Sequence, residues 1–395
     1  MTSPSMFDTI TDRRASNSMK WNRYGADVLP MWVADMDFPA PPPVLEALHK
    51  AVEHGVFGYE MPSRLLLETV AARMERLYGW QVTPEMVVAV PGLASGFNAA
   101  AWAVCALGEG VLMQTPIYPP FMKVAKNVHL TRQWAELVCE RQGSTLRYRV
   151  DWEAFEAAAS QGGVSTRLFL LCNPHNPIGQ IYGRADLLRI AKICEQHDIF
   201  ICSDEIHSEL LLDGAQFIPL ATLSPEMATR TVTLIAPSKT FNVPGLFCGF
   251  AIIPNADLRD RYKRAVERLT LHVNNLGMTA AQAALSGACD DWLAALRSYL
   301  TANRDFVVEF VREQLPGLRV SVPEATYLAW LDCGELVASG RIQGSPYEFF
   351  LKEAQVAFND GADFGPGGLN FVRLNFGCPR ALLEEGLERL RKALA

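Results

Sequence analysis

No stretch of the chain stays apolar for the roughly 18 residues a bilayer crossing takes, so no membrane-spanning helix is expected. The start, Met1-Thr2-Ser3-Pro4-Ser5-Met6-Phe7-Asp8, lacks the basic region followed by an apolar one that marks an export signal, and a chain without export is expected. Basic blocks are missing too. With 36 Lys and Arg against 43 Asp and Glu, the formal charge is -7, which argues against nucleic acid as a ligand. Only 20% of residues are charged, and internal repeats and low-complexity segments are absent, which excludes disordered, collagen-like and coiled-coil chains. The 9 cysteines include no Cys-x-x-Cys spacing and the 7 histidines no His-x-x-x-His spacing, so a metal site is not expected. Several cysteines lie inside apolar runs, as in Phe200-Ile201-Cys202, and read as reduced core thiols of the cytosol.

What the chain does have is length and apolar content: 395 residues, 49% of them hydrophobic and 10% aromatic, enough for a large core and a working count of two domains. Short apolar runs ending in Gly, Pro, Asn or Asp alternate with amphipathic stretches, the pattern of a mainly parallel α/β sheet. Four runs carry the interest. Val87-Val88-Ala89-Val90 ends at Pro91-Gly92 and leads into a helix expected from about Leu93 to Leu107. Leu168-Phe169-Leu170-Leu171-Cys172 ends at Asn173-Pro174, Ile199-Phe200-Ile201-Cys202 at Ser203-Asp204-Glu205, and Thr231-Val232-Thr233-Leu234-Ile235-Ala236 at Pro237-Ser238-Lys239. Ligands of open α/β sheets bind beyond the carboxyl ends of the strands, so the four turns should face one crevice. Between the second and third runs, Leu187, Leu188, Ile190, Ala191 and Cys194 recur with helical spacing, as a crossover helix requires.

An amide, a carboxylate and a lysine stand at these strand ends: Asn176, Asp204 and Lys239. Pyridoxal phosphate would use all three. A lysine amine bonds its aldehyde, a carboxylate keeps the pyridine nitrogen protonated, and an amide donates to the ring oxygen. Singly each residue is weak evidence, since a lysine after a strand is commonly a surface residue and an aspartate there a turn or helix cap.

The motifs Cys172-Asn173-Pro174-His175-Asn176-Pro177-Ile178-Gly179, Ser203-Asp204-Glu205-Ile206-His207 and Pro237-Ser238-Lys239-Thr240-Phe241-Asn242 resemble, in order, those of class I/II aminotransferase-like, fold type I pyridoxal phosphate enzymes. Met31-Trp32-Val33-Ala34-Asp35-Met36-Asp37-Phe38 and His54-Gly55-Val56-Phe57-Gly58-Tyr59 further resemble the MalY/PatB subgroup, the cystathionine β-lyase-like C–S lyases. The likeness runs from about Phe7 to Leu394. It implies an α/β fold of two parts: a large cofactor domain, 47–287, with a mainly parallel sheet flanked by helices, and a smaller α+β domain built from 1–46 and 288–395. It also implies a homodimer with shared active sites in the cytoplasm.

Residue by residue, the resemblance makes Lys239 the Schiff-base lysine, Asp204 the partner of the pyridine nitrogen, Asn176 the donor to the ring oxygen and Tyr118 the aromatic stacked on the ring. Gly92, Leu93 and Ala94 open a helix whose free N–H groups would hold the phosphate together with the Ser238 hydroxyl; alone, such a turn is equally a packing turn. Tyr59 corresponds to the tyrosine lent to the neighbouring subunit's phosphate and also borders the substrate, as does Ala34. In Phe371-Val372-Arg373-Leu374-Asn375-Phe376, alternation puts Arg373 and Asn375 on one strand face, and Arg373 corresponds to the arginine that grips the substrate carboxylate. Without the family it would read as a rim salt bridge.

Two positions depart from the aminotransferase pattern. Eight residues after Lys239, where many members carry arginine, stands Phe247; three after Asp204, where many carry tyrosine, stands His207. The phosphate therefore loses a cation, and His207 is either a donor to the ring oxygen, a supporting residue behind it or a core histidine. In the implied reaction an amino acid displaces Lys239 from the cofactor aldehyde, and the freed lysine amine then removes the α-proton while the ring takes up the charge. Losing a thiolate from the β-carbon gives a C–S lyase, reprotonating the cofactor gives an aminotransferase, and the subgroup favours the first. A regulatory protein binding a transcriptional activator is the alternative of another class.

Overall fold

The computed structural model describes residues 5–160 and 163–395; the first four residues of the start read above for an export signal lie outside them. In chain order the strands that build the two main sheets are β1 (Val87–Val90), β2 (Gly110–Thr115), β3 (Thr131–Glu136), β4 (Val138–Gln142), β5 (Thr145–Arg149), β6 (Thr166–Cys172), β7 (Phe200–Asp204), β8 (Thr231–Ile235), β9 (Gly249–Ile252), β10 (Arg319–Ser321), β11 (Leu328–Asp332), β12 (Asn359–Asp360) and β13 (Phe371–Asn375). Seven of them form a central sheet in the order β1-β9-β8-β7-β6-β2-β3. Every neighbouring pair is parallel except the two made by β9. Since β9 opposes both neighbours, β1 runs with the others, and the carboxyl ends of β1, β6, β7 and β8 open on one edge.

Strands covered by helices on both faces read as continuous apolar runs, and β8 is buried at every position. The crossover helix Arg184–Gln196 turns Leu187, Ile190, Ala191 and Cys194 inward, each a potential contribution of about 1.5–3 kcal/mol for the larger side chains. Leu188 was expected on that face but is 44% exposed, because it lies about 100° round the helix from Leu187. The helix after β1 ends at Val104 rather than Leu107: Cys105 takes extended backbone and Gly108 turns the chain at φ +85°.

The second sheet has the order β12-β13-β11-β10-β5-β4. Its β4–β5 hairpin comes from the middle of the chain, within the stretch assigned to the large domain, and joins through a parallel pairing of Val320 with Thr145. Helices Asp290–Gln314 and Arg380–Ala393 cover one face, packing Leu296, Leu300, Val307, Leu383, Leu387 and Leu390 against Val372 and Leu374. Near the N-terminus, Leu29–Pro30 pairs with Val356–Ala357 in parallel, which ties the segment that follows to the second sheet. No helix among the described residues is long and apolar enough to cross a membrane.

Candidate active site

A cavity of about 240 Å³ lies at the edge where the four strands end. Gly92, Leu93 and Ala94 border it after β1, Asn176 and Cys172 at β6, Asp204 and His207 at β7, and Ser238 and Lys239 after β8; Ala34, Tyr118 and Phe247 complete the wall. Ten of the twelve candidate residues thus meet in one place. Arg373 reaches it through Asn176. Tyr59 does not: its side chain is fully exposed in a segment without regular structure, outside its own chain's cavity.

Lys239 sits in a one-turn helix, Pro237–Thr240, with its Nζ donating to the Ala34 carbonyl at 2.5 Å. Burial disfavours the ammonium and brings its pKa down to about 8; Arg373 acts in the same sense, while Asp35 and Asp204 oppose it. Asp204, the last residue of β7, accepts from the Ile206 N–H at 3.1 Å. Burial raises its carboxyl to about 7, although that hydrogen bond and Lys239 favour the charged form. The adjoining Glu205 turns away, accepting from the Ser203 hydroxyl at 2.8 Å and the Leu220 N–H at 3.2 Å. Alternation along the strand therefore gives only one carboxylate of the pair to the cavity.

His207 is 2% exposed, and burial pushes its pKa down to about 3, so the imidazole is neutral. Its Nδ1 has no partner and its ring stands edge-on to Tyr327 at 6.0 Å. The one His-x-Glu spacing of the chain, His207 and Glu209, makes no metal pair, because Glu209 binds the buried Arg73 guanidinium. No cluster of three or more His, Cys, Asp or Glu among the described residues suits a metal.

Arg373, 3% exposed on β13, makes no salt bridge among the described residues, which removes the rim-pair reading. Its NH1 donates to Asn176 Oδ1 at 3.0 Å, and its NH2 to the Trp32 carbonyl at 3.0 Å and Asn359 Oδ1 at 2.6 Å; Nε is left without a partner. An unpaired buried guanidinium favours losing its charge, and its pKa falls to about 10. A substrate carboxylate would reverse that cost. Asn375, on the same strand face, donates to the Val33 and Asp35 carbonyls at 2.6 and 2.7 Å.

Gly92 caps the helix Leu93–Val104 at φ +91°, a conformation that L side chains rarely adopt. No side chain caps this helix, so its first N–H groups are available to an anion. Tyr118 forms one wall at the start of helix Pro119–Asn127, its phenol pKa raised by burial. Phe247 takes left-handed backbone at φ +47° and is 61% exposed beside Gly92, so the phosphate end of the cavity has an aromatic where an arginine was missing.

Four participants escaped the sequence reading: Tyr327, Asn359, Asp35 and Asn242. Asn242 accepts from the Met36 N–H at 2.9 Å and donates to the Phe38 carbonyl at 2.6 Å. With Asn375 it pins the Met31–Phe38 segment without regular structure. The signal for Tyr327 was a Thr-Tyr pair opening an apolar strand, a pattern that equally marks a strand edge.

The profile of the aminotransferase class I and II family matches residues 26–390. Cystathionine beta-lyase PatB of Bacillus subtilis is 39% identical over 98% of this chain and 100% of its own length. Protein MalY of Escherichia coli is 31% identical over 98% of both chains. The crystal structure of cystalysin from Treponema denticola, which contains pyridoxal 5'-phosphate, superposes with a TM-score of 0.91 at 30% identity over 98% of both chains. The chain belongs to the class I and II aminotransferase family, with the fold type I architecture that its sheet order displays. Within it, the chain is a member of the MalY/PatB subgroup of cystathionine β-lyase-like C–S lyases.

Pyridoxal 5'-phosphate is the cofactor of this family, and the residues present fit it. A carboxyl raised to about 7 by burial suits a protonated ring nitrogen, whose charge would favour its ionised form. An uncapped helix start suits the phosphate, and a buried lysine with a depressed pKa suits an aldehyde.

Proposed function

We propose that the chain is a pyridoxal phosphate-dependent C–S β-lyase that converts L-cystathionine or related cysteine thioethers to a thiol, pyruvate and ammonia. The observation that carries the reading is the placement of Lys239, Asp204 and Arg373 around one cavity, in a chain 39% identical to a cystathionine beta-lyase over its whole length. Bound there, pyridoxal phosphate supplies an aldehyde for the substrate amine and a ring that takes up the electron pair left at the α-carbon.

The chain's own residues do the rest. Asp204 would hold the proton on the ring nitrogen, and Asn176 Nδ2, whose Oδ1 is taken by Arg373, would donate to the ring oxygen. His207, neutral and with Nδ1 unpartnered, would serve as a second donor to that oxygen. The helix start at Gly92, Leu93 and Ala94 and the Ser238 hydroxyl would hold the phosphate, and Tyr118 would supply the ring's packing face. Arg373 grips the substrate carboxylate beside Ala34. Lys239 then takes the α-proton; a neutral amine at pH 7 to 8 needs the depressed basicity that burial gives it. The C–S bond breaks with its electron pair on sulfur, the proton now on Lys239 is available to the leaving thiolate, and one water hydrolyses the released three-carbon fragment to pyruvate and ammonia.

The exposed Tyr59 belongs, in this reading, to the site of a second copy, so the working enzyme is a homodimer. Domains 47–287 and 1–46 with 288–395 close on the substrate, and the nine free cysteines support a cytoplasmic setting. Incubation with L-cystathionine without any keto acid tests the reaction: pyruvate, ammonia and thiol should accumulate in equal amounts over many turnovers. A time course that stalls at one equivalent per site and resumes with 2-oxoglutarate would make the enzyme an aminotransferase instead.

A further inference from the structure

The Ala34 carbonyl accepts two hydrogen bonds at once, from Lys239 Nζ at 2.5 Å and from the Tyr327 hydroxyl at 2.8 Å. The flanking Val33 and Asp35 carbonyls are held by Asn375 and the Trp32 carbonyl by Arg373, so the Ala34 oxygen is the one in this run that the reactive amine uses.

Much local structure goes into placing that phenol. Thr326, immediately before it, is a buried β-branched residue at φ +75°, a backbone region such residues avoid. It is held there by its own N–H to the Leu210 carbonyl at 2.9 Å and by its hydroxyl, which accepts from the Leu328 N–H at 3.1 Å. On the other side, a Cβ at Gly377 would stand 2.7 Å from Met36 Cγ and 3.2 Å from Tyr327 Cγ, so a side chain there would displace Met36 and press on the ring. The Tyr327 carbonyl accepts from the Phe376 N–H at 2.9 Å, and the His207 ring closes the remaining edge. A strained residue on one side and a closely packed glycine on the other are more than a buried tyrosine needs merely to satisfy its hydroxyl.

We propose that Tyr327 is a positioning residue for Lys239, acting through the Ala34 carbonyl that both side chains hydrogen-bond. The proposal rests on the reading of Lys239 as the amine that bonds the cofactor and moves the α-proton. Tyr327 fills one acceptor direction of the oxygen, which fixes the carbonyl and confines Lys239 to the direction facing the cavity. Sharing the oxygen also weakens its hold on the lysine ammonium, since a carbonyl already polarised by a phenol is a poorer acceptor. The other charged and titratable groups facing the amine are Asp35 from the N-terminal segment, Asp204 and His207 after β7 and Arg373 on β13; the His207 ring lies edge-on to Tyr327, and a substitution that keeps the ring and removes only the hydroxyl preserves that contact.

The test is Y327F, stripped of cofactor, with the rate of covalent capture of pyridoxal 5'-phosphate measured across a pH series beside the wild type. With the phenol gone, Ala34 accepts from Lys239 alone, the ammonium is favoured, and the capture profile should move to higher pH. Capture at pH 7 should slow by about 3- to 10-fold. In the reloaded variant kcat should fall by a similar factor with KM within about twofold, the split expected when the base rather than the substrate clamp is disturbed. Affinity for pyridoxine 5'-phosphate, which has an alcohol in place of the aldehyde and forms no bond with Lys239, should stay within about twofold. Superimposable capture profiles would overturn the proposal, and so would loss of pyridoxine 5'-phosphate binding, which would make Tyr327 a packing residue. A wild-type protein that captures no cofactor would instead overturn the reading of Lys239 itself.

Discussion

Asn176 and Arg373 are joined by a hydrogen bond of 3.0 Å between Oδ1 and NH1, although 197 residues separate them in the chain. The bond couples the two halves of the site. It ties the Asn176 amide oxygen to Arg373, which leaves Nδ2 for the proposed contact with the cofactor, and it orients the guanidinium proposed to receive the substrate. Replacing either residue therefore disturbs both, but unequally.

Arg373→Leu should raise KM for S-alkylcysteines by about tenfold to a hundredfold, the range expected for hydrogen bonds to a charged group at about 1.5–3 kcal/mol. Cofactor affinity should change by only about threefold, because Asn176 loses an orienting partner and not its donors. Steady-state kinetics alongside cofactor titration separates the two effects. A loss confined to cofactor binding would remove Arg373 from the substrate.

Lys239→Ala should leave a folded protein that holds the cofactor without a covalent bond and turns over slower by several orders of magnitude, since in the proposed mechanism one amine both attaches the cofactor and moves the α-proton. Borohydride reduction followed by peptide mass spectrometry provides the check. In the wild type the adduct should sit on Lys239, and an adduct on any other lysine would reassign the role.

Asp204 makes the cofactor-free protein sensitive to pH in a defined direction. Its carboxyl is raised by burial to about 7 and that of Glu205 to about 8, whereas unfolded carboxyls titrate near 4. The folded state thus binds these protons more tightly, so their contribution to stability is complete below about pH 4 and is lost as the pH rises through about 7 and 8. Asp204→Asn should melt above the cofactor-free wild type at pH 8, with the gap closing towards pH 5. In the loaded enzyme the order should invert, because the ring nitrogen then needs the carboxylate. Scanning fluorimetry over a pH series decides it; a gap independent of pH would exclude a buried, raised carboxyl.

Tyr59→Phe should weaken cofactor retention by a few-fold even though Tyr59 is fully exposed and outside its own chain's cavity. Only a second copy can transmit such an effect. Dialysis against buffer, with light scattering to establish the dimer, is the measurement, and unchanged retention in a dimeric protein would take Tyr59 out of the phosphate site.

The amino-acid sequence by itself determined where the chemistry stands along the chain. Asn176, Asp204 and Lys239 each follow a short apolar run, and a parallel sheet delivers such positions to one edge whatever the loops between them do. Local signals sufficed for the helix start at Gly92 and for the shared face of Arg373 and Asn375, because alternation and glycine backbone freedom are properties of a few neighbouring residues. Phe247 and His207 were visible as departures, but not that Phe247 would take left-handed backbone or that His207 would be buried against Tyr327. The β4–β5 hairpin reads as part of the large domain until packing pairs Thr145 with Val320. Only the tertiary structure showed that Lys239 and Tyr327 share the Ala34 carbonyl, from 205 and 293 residues away. A backbone oxygen is the same at every residue, so no choice of amino acid at position 34 advertises it; which carbonyl is used depends on how distant segments pack.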